Sequence, residues 1–454
     1  MKKKQISSVQ LIPLSFLIAI ILGGLILMLP ISSASGKWTN PLVAMFTSAT
    51  STCVTGLVVV DTFSYFSFFG QFIIMCLIQI GGLGIITFIS MIMLITQKKF
   101  SLGDRKMLQD SLNLNTDVGI LRILIRISKD VLKVEFCGAL LYSIAFIPEF
   151  GLVKGIWFSV FHSISAFCNA GIDILGNNSL INYKSNPLVM FTTMILIIMG
   201  GLGYVVWFDM SEKIKAGINK RFTPVQIFKR FTEHTKLVVT VTAALIVSGA
   251  IFFFIAEFNN PGTIGNFSLF DKITNSLFES VTLRTAGFCS FPQENMTDFS
   301  CVMSYMLMFI GGSPIGTAGG VKTVTIFLSL LNVVSYIHDD DQSIIFNRRI
   351  TEENMRKATV IVSVAAFAII ILTLALIVTN PVSIQDGLYE VISASATVGL
   401  SRGLTSNLNN IGKIIIIIAM YLGRIGPISL AIFFAGRGHH KSKCRYTEGN
   451  FFVG

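Results

Sequence analysis

Four short segments at nearly constant spacing constrain this chain more than any other feature. Residues 49–57 read ATSTCVTGL, 165–173 SAFCNAGID, 279–288 ESVTLRTAGF and 393–401 SASATVGLS. Aligned on Gly56, Gly171, Gly287 and Gly399, they recur at intervals of 115, 116 and 112 residues. A fixed period of this kind marks an internally repeated architecture. A second set of glycines follows each by about 24 to 29 residues: Gly81-Gly82-Leu83-Gly84, Gly200-Gly201-Leu202-Gly203, Gly311-Gly312-Ser313 and Gly423-Arg424-Ile425-Gly426.

The solvent of these repeats follows from composition. Only 13% of the 454 residues are charged, against about 25% in an ordinary soluble domain, and 52% are hydrophobic without counting 38 glycines. That is an integral membrane protein. The seven cysteines are scattered without a C-x-x-C pair and read as buried thiols. Apolar runs long enough to cross a bilayer lie at 11–31, 69–96, 124–147, 187–208, 237–257, 301–312 continuing past 323, 358–379 and 413–435. The first follows Lys2, Lys3 and Lys4 and precedes Ser33-Ala34-Ser35, but it is too long for a signal peptide and is expected to be a retained helix. Segments 42–58, 156–173, 270–290 and 385–401 are too short and too Ser/Thr-rich to cross alone, and are expected to be re-entrant.

The net charge of +11 belongs to this topology and not to nucleic-acid binding. The N-terminus carries 3 Lys or Arg, 97–133 carries 8, 213–236 carries 7, 339–357 carries 4 and 437–445 carries 4, or 26 of 35. Basic loops mark the cytoplasmic side, which places both termini there. The fold class expected is therefore all-α, with four parallel helix–pore-loop–helix repeats in pseudo-fourfold symmetry around one pore. The divisions are repeat 1 at 1–96, repeat 2 at 124–212, repeat 3 at 237–338 and repeat 4 at 358–436. Connectors at 97–123, 213–236 and 339–357 join them, and a tail covers 437–454.

Non-helical backbone at membrane depth must line water or be buried in protein, because an orphaned N–H or C=O in hydrocarbon costs several kcal/mol. Four glycine turns around one axis would gather a ring of carbonyls, each glycine allowing a positive φ that turns them inward. Carbonyl rings replace the hydration shell of a monovalent cation, and the C-terminal ends of the preceding short helices favour positive charge. The candidate filter is Val54, Thr55 and Gly56; Asn169, Ala170 and Gly171; Thr285, Ala286 and Gly287; and Thr397, Val398 and Gly399. Each glycine alone could serve close helix packing; four at one period point to a filter for K⁺ or Na⁺.

The whole chain resembles the Trk/Ktr/HKT superfamily of cation transporters, most closely the membrane subunit of bacterial Ktr-type potassium uptake systems. CVTGL, CNAGI, RTAGF and TVGLS, the QIGGLG and GRIGP runs, and the ending RYTEGNFFVG carry the resemblance. It implies K⁺ translocation at the bacterial plasma membrane through one pore per subunit, a homodimer, and a cytoplasmic regulatory ring binding ATP or ADP. In that family a first-filter glycine, here Gly56, accompanies K⁺ selectivity, and serine there accompanies Na⁺ transport; Na⁺ is the competing or activating ion.

Gly311, Gly312, Ser313, Pro314, Gly316, Thr317, Gly319 and Gly320 interrupt the apolar run from Val302 to Leu331. Proline with five glycines cannot stay one helix, so a mid-membrane break is expected; the resemblance implies an intramembrane gate. Arg424 inside the last span costs at least about 2.5–3.5 kcal/mol to insert. By the resemblance it is an electrostatic barrier in the pore, and otherwise a buried pair with a carboxylate or backbone carbonyls. Lys322 follows the break and either serves the pore or snorkels to the interface. His162, Glu279 and Glu390 occupy similar places in their re-entrant segments; they hydrogen-bond the loops behind the filter or are solvated or capping. Arg284 is expected to brace its loop, since a cation would repel K⁺.

No enzyme or cofactor motif emerges. Gly319-Gly320-Val321-Lys322-Thr323 lacks the G-K step of a phosphate loop, and the tail His439-His440-Lys441-Ser442-Lys443-Cys444 lacks a second ligand pair for zinc. The alternative to an ion path is a solute carrier or intramembrane hydrolase; His162 and Ser313 are the only pair that could be nominated, without a supporting motif. The connector helix bearing Arg122, Arg126, Lys129 and Lys133 at helical spacing reads as a membrane-surface helix or a docking face.

Overall fold

The structure, a computed structural model of the chain, describes residues 8–84, 120–176, 178–338 and 343–426. Within them the chain folds into a long helix, a short buried helix, an extended turn and a second long helix, four times over. Repeat 1 has α1 (Ser8–Met28), α2 (Pro41–Cys53) and α3 (Phe68–Leu83). Repeat 2 has α4 (Ile120–Phe150), α5 (Leu152–Phe167), α6 (Pro187–Leu202) and its continuation α7 (Tyr204–Asn219). Repeat 3 has α8 (Glu233–Glu257), α9 (Leu269–Thr282), α10 (Asp298–Phe309) and α11 (Thr323–Ile337); repeat 4 has α12 (Glu352–Thr379), α13 (Ile384–Ser395) and α14 (Asn410–Ile425). A two-stranded hairpin pairs Ile344 with Arg349 and Ile345 with Arg348.

The helix starts are written locally. Asn40, Ser268 and Ser383 cap α2, α9 and α13 by accepting from the amides of Leu42, Asp271 and Asp386. Ser67, Asn186, Thr297 and Asn409 cap α3, α6, α10 and α14. Such caps satisfy amides that a helix start leaves free, and they fix where the chain re-enters the apolar layer.

Burial divides the helices by role. Leu124–Phe150, Glu233–Glu257 and Glu352–Thr379 are long and apolar enough to cross a bilayer, with most of their surface facing outward. The short helices are the core: Phe46, Phe161, Phe278 and Tyr389 are fully buried, as are the Ser and Thr residues around them. Those hydroxyls mostly bond neighbouring backbone, as Ser48 does to Ile20 O, Ser163 to Glu135 O and Ser280 to Ile246 O. The short helices of repeats 1, 2 and 3 are thereby tied to the first spans of their own repeats.

Two expectations need correction. The run 187–208 is not one straight span, because α6 stops at Leu202 and the chain turns by 102° into α7. Gly203 makes the turn with φ 89° and ψ 142°. Nor are all the cysteines buried: Cys137 is exposed on the outer face of α4, where an apolar thiol can face lipid. The stretches 85–96, 97–119 and 427–454, including the polar tail, lie outside the described residues.

Candidate functional site

At the end of each short helix the chain reverses through a residue that is not glycine. Val54, Asn169, Thr285 and Thr397 have φ of 56°, 59°, 67° and 54°, and the glycine two positions later is also positive, at 103°, 62°, 81° and 96°. A β-branched residue in the left-handed region is a true outlier, and such strain persists only where its surroundings over-determine it. They do so here. The amide of Thr55 returns to Thr50 O at 2.8 Å, that of Ala170 to Ser165 O at 2.8 Å, that of Ala286 to Thr282 O at 2.9 Å and that of Val398 to Ser393 O at 2.7 Å. The amides of Gly56 and Gly399 donate to the hydroxyls of Thr50 and Ser393 at 3.0 and 3.1 Å. In every turn the amide before the glycine is thus consumed on the helix side, and in repeats 1 and 4 the glycine amide is too.

The four segments meet in cyclic order. A Cβ placed on Gly56 would meet the carbonyl oxygen of Ala170; on Gly171, that of Ala286; on Gly287, that of Val398; and on Gly399, that of Thr55, none further than 2.6 Å. Each repeat thus abuts the next, and the fourth closes on the first. Glycine is required at these positions by φ and by neighbouring backbone together. Around the ring the hydroxyls of Thr55, Thr285 and Thr397 and Nδ2 of Asn169 are buried with no hydrogen-bond partner.

The second set of glycines has its own reason. A methyl on Gly81, Gly200 or Gly423 would overlap the carbonyl oxygen of Thr52, Phe167 or Ser395, in each case the residue four before the filter glycine. These glycines let the second span press against the end of the short helix. Three residues later α3, α6 and α14 all stop at a glycine of nearly identical conformation: Gly84 at φ 85°, Gly203 at 89° and Gly426 at 87°. In repeat 3 the matching residue is Pro314, and there the chain leaves the pattern.

From Ile310 to Lys322 the third repeat forms a loop, so the expected break in that span is present. Its neck is closed by Gly311 N–H to Val321 O at 2.8 Å and Thr323 N–H to Gly312 O at 3.1 Å. Its tip is held by repeat 2: Ser313 N–H donates to Gly201 O at 2.8 Å, Thr317 N–H to Gly200 O at 3.1 Å, and Tyr204 N–H to Ile315 O at 3.0 Å. The Thr317 hydroxyl donates to Asn169 Oδ1 at 2.9 Å. On its other flank, Gly319 lies against the side chain of Thr397. The loop therefore crosses on the side of the ring where the short helices end.

Three cations face this loop. Arg424 donates to the carbonyl oxygens of Thr317, Gly81 and Gly82. Its guanidinium bridges repeat 4 to the loop and to repeat 1, as the carbonyl-paired reading anticipated. Lys322 does not snorkel; its Nζ donates to Ala318 O at 2.6 Å. Arg284 is buried and donates to Gly311 O at 3.4 Å, a brace between the third glycine turn and the loop neck.

On the opposite side of the ring a cavity of about 450 Å³ opens over Gly56, Gly171, Gly287 and Gly399. Asp61, Asp173 and Glu294 line it and no Lys or Arg does; Arg402 stands just behind, donating to Gln293 O at 3.2 Å and to Asp386 at 2.9 Å. Behind the wall, Glu279 accepts from Gln293 Nε2 at 3.1 Å while Tyr389 donates to Gln293 Oε1 at 3.0 Å. Glu390 accepts from Ser401 at 2.8 Å and from Thr405. Both glutamates are buried, which rules out solvated or capping roles. His162 is the correction: its Nδ1 pairs with Phe158 O in its own helix at 2.8 Å and reaches no filter loop. It also lies apart from Ser313, whose hydroxyl pairs with Thr323 at 3.1 Å.

Sequence reasoning missed Gln293 and the three acids of the cavity, which sit in the connections after the glycine turns, without a repeat signature. It named Gly84, Gly203 and Gly426 within the second glycine set without reading them as helix stops; Pro314 in the matching place marked the odd repeat.

Comparison with known proteins places this geometry. Residues 10–441 match the TrkH family of cation transport proteins. The chain is 38% identical to the Ktr system potassium uptake protein B of Bacillus subtilis over 446 residues, covering 98% of this chain and 96% of that one. It is 36% identical to the potassium/sodium uptake protein NtpJ of Enterococcus hirae over 458 residues, covering 100% and 98%. The crystal structure of TrkH from Vibrio parahaemolyticus superposes with a TM-score of 0.74 at 18% identity, over 95% of this chain and 86% of that one. The relatives are cation transporters and not enzymes, and the expected all-α fourfold fold is the one they share. This chain is a membrane protein that belongs to the TrkH family of cation transport proteins.

Proposed function

We propose that the chain carries potassium into the bacterial cell through the ring of Val54–Gly56, Asn169–Gly171, Thr285–Gly287 and Thr397–Gly399. The observation that carries this reading is the cyclic closure of the four glycines on one another's carbonyls. Backbone carbonyls gathered in a ring can take the place of an ion's water, and the partnerless hydroxyls beside them add acceptors of the same kind. The acidic vestibule would face outward and raise the local cation concentration. Both termini and the basic connectors would then lie in the cytoplasm. Each of the four divisions named from the sequence would supply one quarter of the wall.

The loop from Gly311 to Gly320 is the gate in this reading. It lies across the inner side of the ring, and Arg424 pins it while placing positive charge on the path. A homodimer and a cytoplasmic regulatory ring binding ATP or ADP would move it; no organic cofactor on this chain is required. Inward K⁺ movement is favoured by the membrane potential at about 2.3 kcal/mol per charge per 100 mV. Sodium is the second reading, favoured by the Enterococcus hirae relative, whose name includes both ions.

Purified protein in liposomes, assayed for K⁺, Rb⁺ and Na⁺ flux with and without Gly56→Ser, tests the reading. K⁺- and Rb⁺-selective flux in the wild type and a shift toward Na⁺ in the variant are expected. Equal flux of all three ions in the wild type, or an unchanged preference in a variant that still conducts, would remove selectivity from the glycine ring.

A further inference from the structure

On the gate side of the ring, a cavity of about 800 Å³ lies between the beginning of α4 and the bend from α6 into α7. Arg126, Lys129, Lys133 and Lys215 line it against a single acid, Asp130. Asp130 is occupied by its neighbours on the same helix, Arg126 at 3.8 Å and Lys133 at 3.2 Å. Among the described residues, Lys129 and Lys215 have no ion pair or hydrogen bond of their own. They approach the cavity from two different helices, so net positive charge is held in a concave place that the protein does not neutralise.

The floor differs from the rim. Leu202 ends α6, and Trp207, which lines the cavity with it, already donates its Nε1 to Met199 O at 2.9 Å, so the part it offers the cavity is ring carbon. On the outer face of α4, Leu132 and Phe136 are 55% and 64% exposed, as side chains against hydrocarbon would be. A cationic rim over an apolar floor, beside a lipid-facing surface, matches an amphiphile better than a soluble anion. We propose that this cavity binds the phosphate headgroup of an anionic membrane phospholipid, with Lys129 and Lys215 taking the phosphate and the Leu202–Trp207 floor taking an acyl chain. The transport reading enters only in assigning the site to the cytoplasmic leaflet. Because Tyr204 at the same bend holds Ile315 of the gate loop, an occupied site would brace α7 at the point where the loop is attached.

Binding is tested without transport, in phosphatidylcholine vesicles containing brominated-chain phosphatidylglycerol, by quenching of tryptophan fluorescence. Trp207→Phe identifies the part of the signal that comes from the cavity. Saturable quenching at a low fraction of brominated phosphatidylglycerol is expected. Lys129→Gln with Lys215→Gln should raise the fraction needed for half-quenching by about ten-fold or more, and arginine at both positions should restore it. An unchanged thermal midpoint in pure phosphatidylcholine would show that the double glutamine variant remains folded. Equal quenching by brominated phosphatidylcholine, or no shift in the folded double variant, would overturn the proposal. Displacement of the brominated lipid by millimolar pyrophosphate would assign the site to a soluble phosphate instead and overturn the lipid.

Discussion

The hydroxyl of Thr317 in the loop of repeat 3 donates a 2.9 Å hydrogen bond to Oδ1 of Asn169, the left-handed residue of the second glycine turn, 148 positions earlier in the chain. The same hydroxyl lies 3.1 Å from Phe167 O. One side chain thus joins the loop to the end of a short helix and to the left-handed turn that follows it. Through it, a shift of the loop is felt at one of the four ring segments.

Thr317→Val keeps the shape of the side chain and removes this donor. Leaving a buried acceptor without a partner costs about 1–3 kcal/mol. The variant is expected to lower the thermal midpoint modestly and to raise flux in the resting state by releasing the loop. Ion flux from liposomes without any activating partner is the measurement; unchanged resting flux would mean that Thr317 only fills space.

Arg424→Gln and Arg424→Lys separate a charge barrier from a bridge. Both are expected to increase resting flux, because neither side chain can span Thr317 O and Gly81 O as the planar guanidinium does. If charge alone limits flow, Arg424→Lys will conduct like the wild type while Arg424→Gln conducts more.

Adjacent glycines predict opposite outcomes. A methyl at Gly200 meets the Phe167 carbonyl, whereas one at Gly201 finds nothing nearer than Asn169 Nδ2 at 3.8 Å. Gly200→Ala should therefore destabilise by about 1–3 kcal/mol or prevent assembly. Gly201→Ala should be neutral or gain up to about 1 kcal/mol from helix propensity. Thermal melts of the two variants in the same detergent decide it.

Gln293 links Glu279 of repeat 3 to Tyr389 of repeat 4 behind the filter wall. Gln293→Leu strands a buried carboxyl and a buried phenol, each worth about 1–3 kcal/mol when left unpaired. A lower melting temperature and weaker discrimination of K⁺ over Na⁺ are expected in a folded variant. Selectivity equal to the wild type would confine Gln293 to stability.

Much of this molecule was legible in one sequence because the repeats over-determine it. Period and glycine positions located the short helices, and the four aligned glycines do meet in one ring. Capping residues such as Ser268 and Ser383 carry their signal within four positions of the helix they start. The broken span was equally local, since proline and five glycines cannot stay helical. What no window of sequence contained was which carbonyl each glycine must avoid. Gly56 meets Ala170 O and Gly399 meets Thr55 O, contacts between segments more than 100 residues apart. The partners of Arg424 and Thr317 were hidden for the same reason, as was the meeting of Lys129 with Lys215. Helix starts, breaks and membrane crossings depend on neighbours along the chain; the order of the ring, the attachment of the loop and the pairing of buried charge depend on neighbours in space, and only the packed repeats supply those.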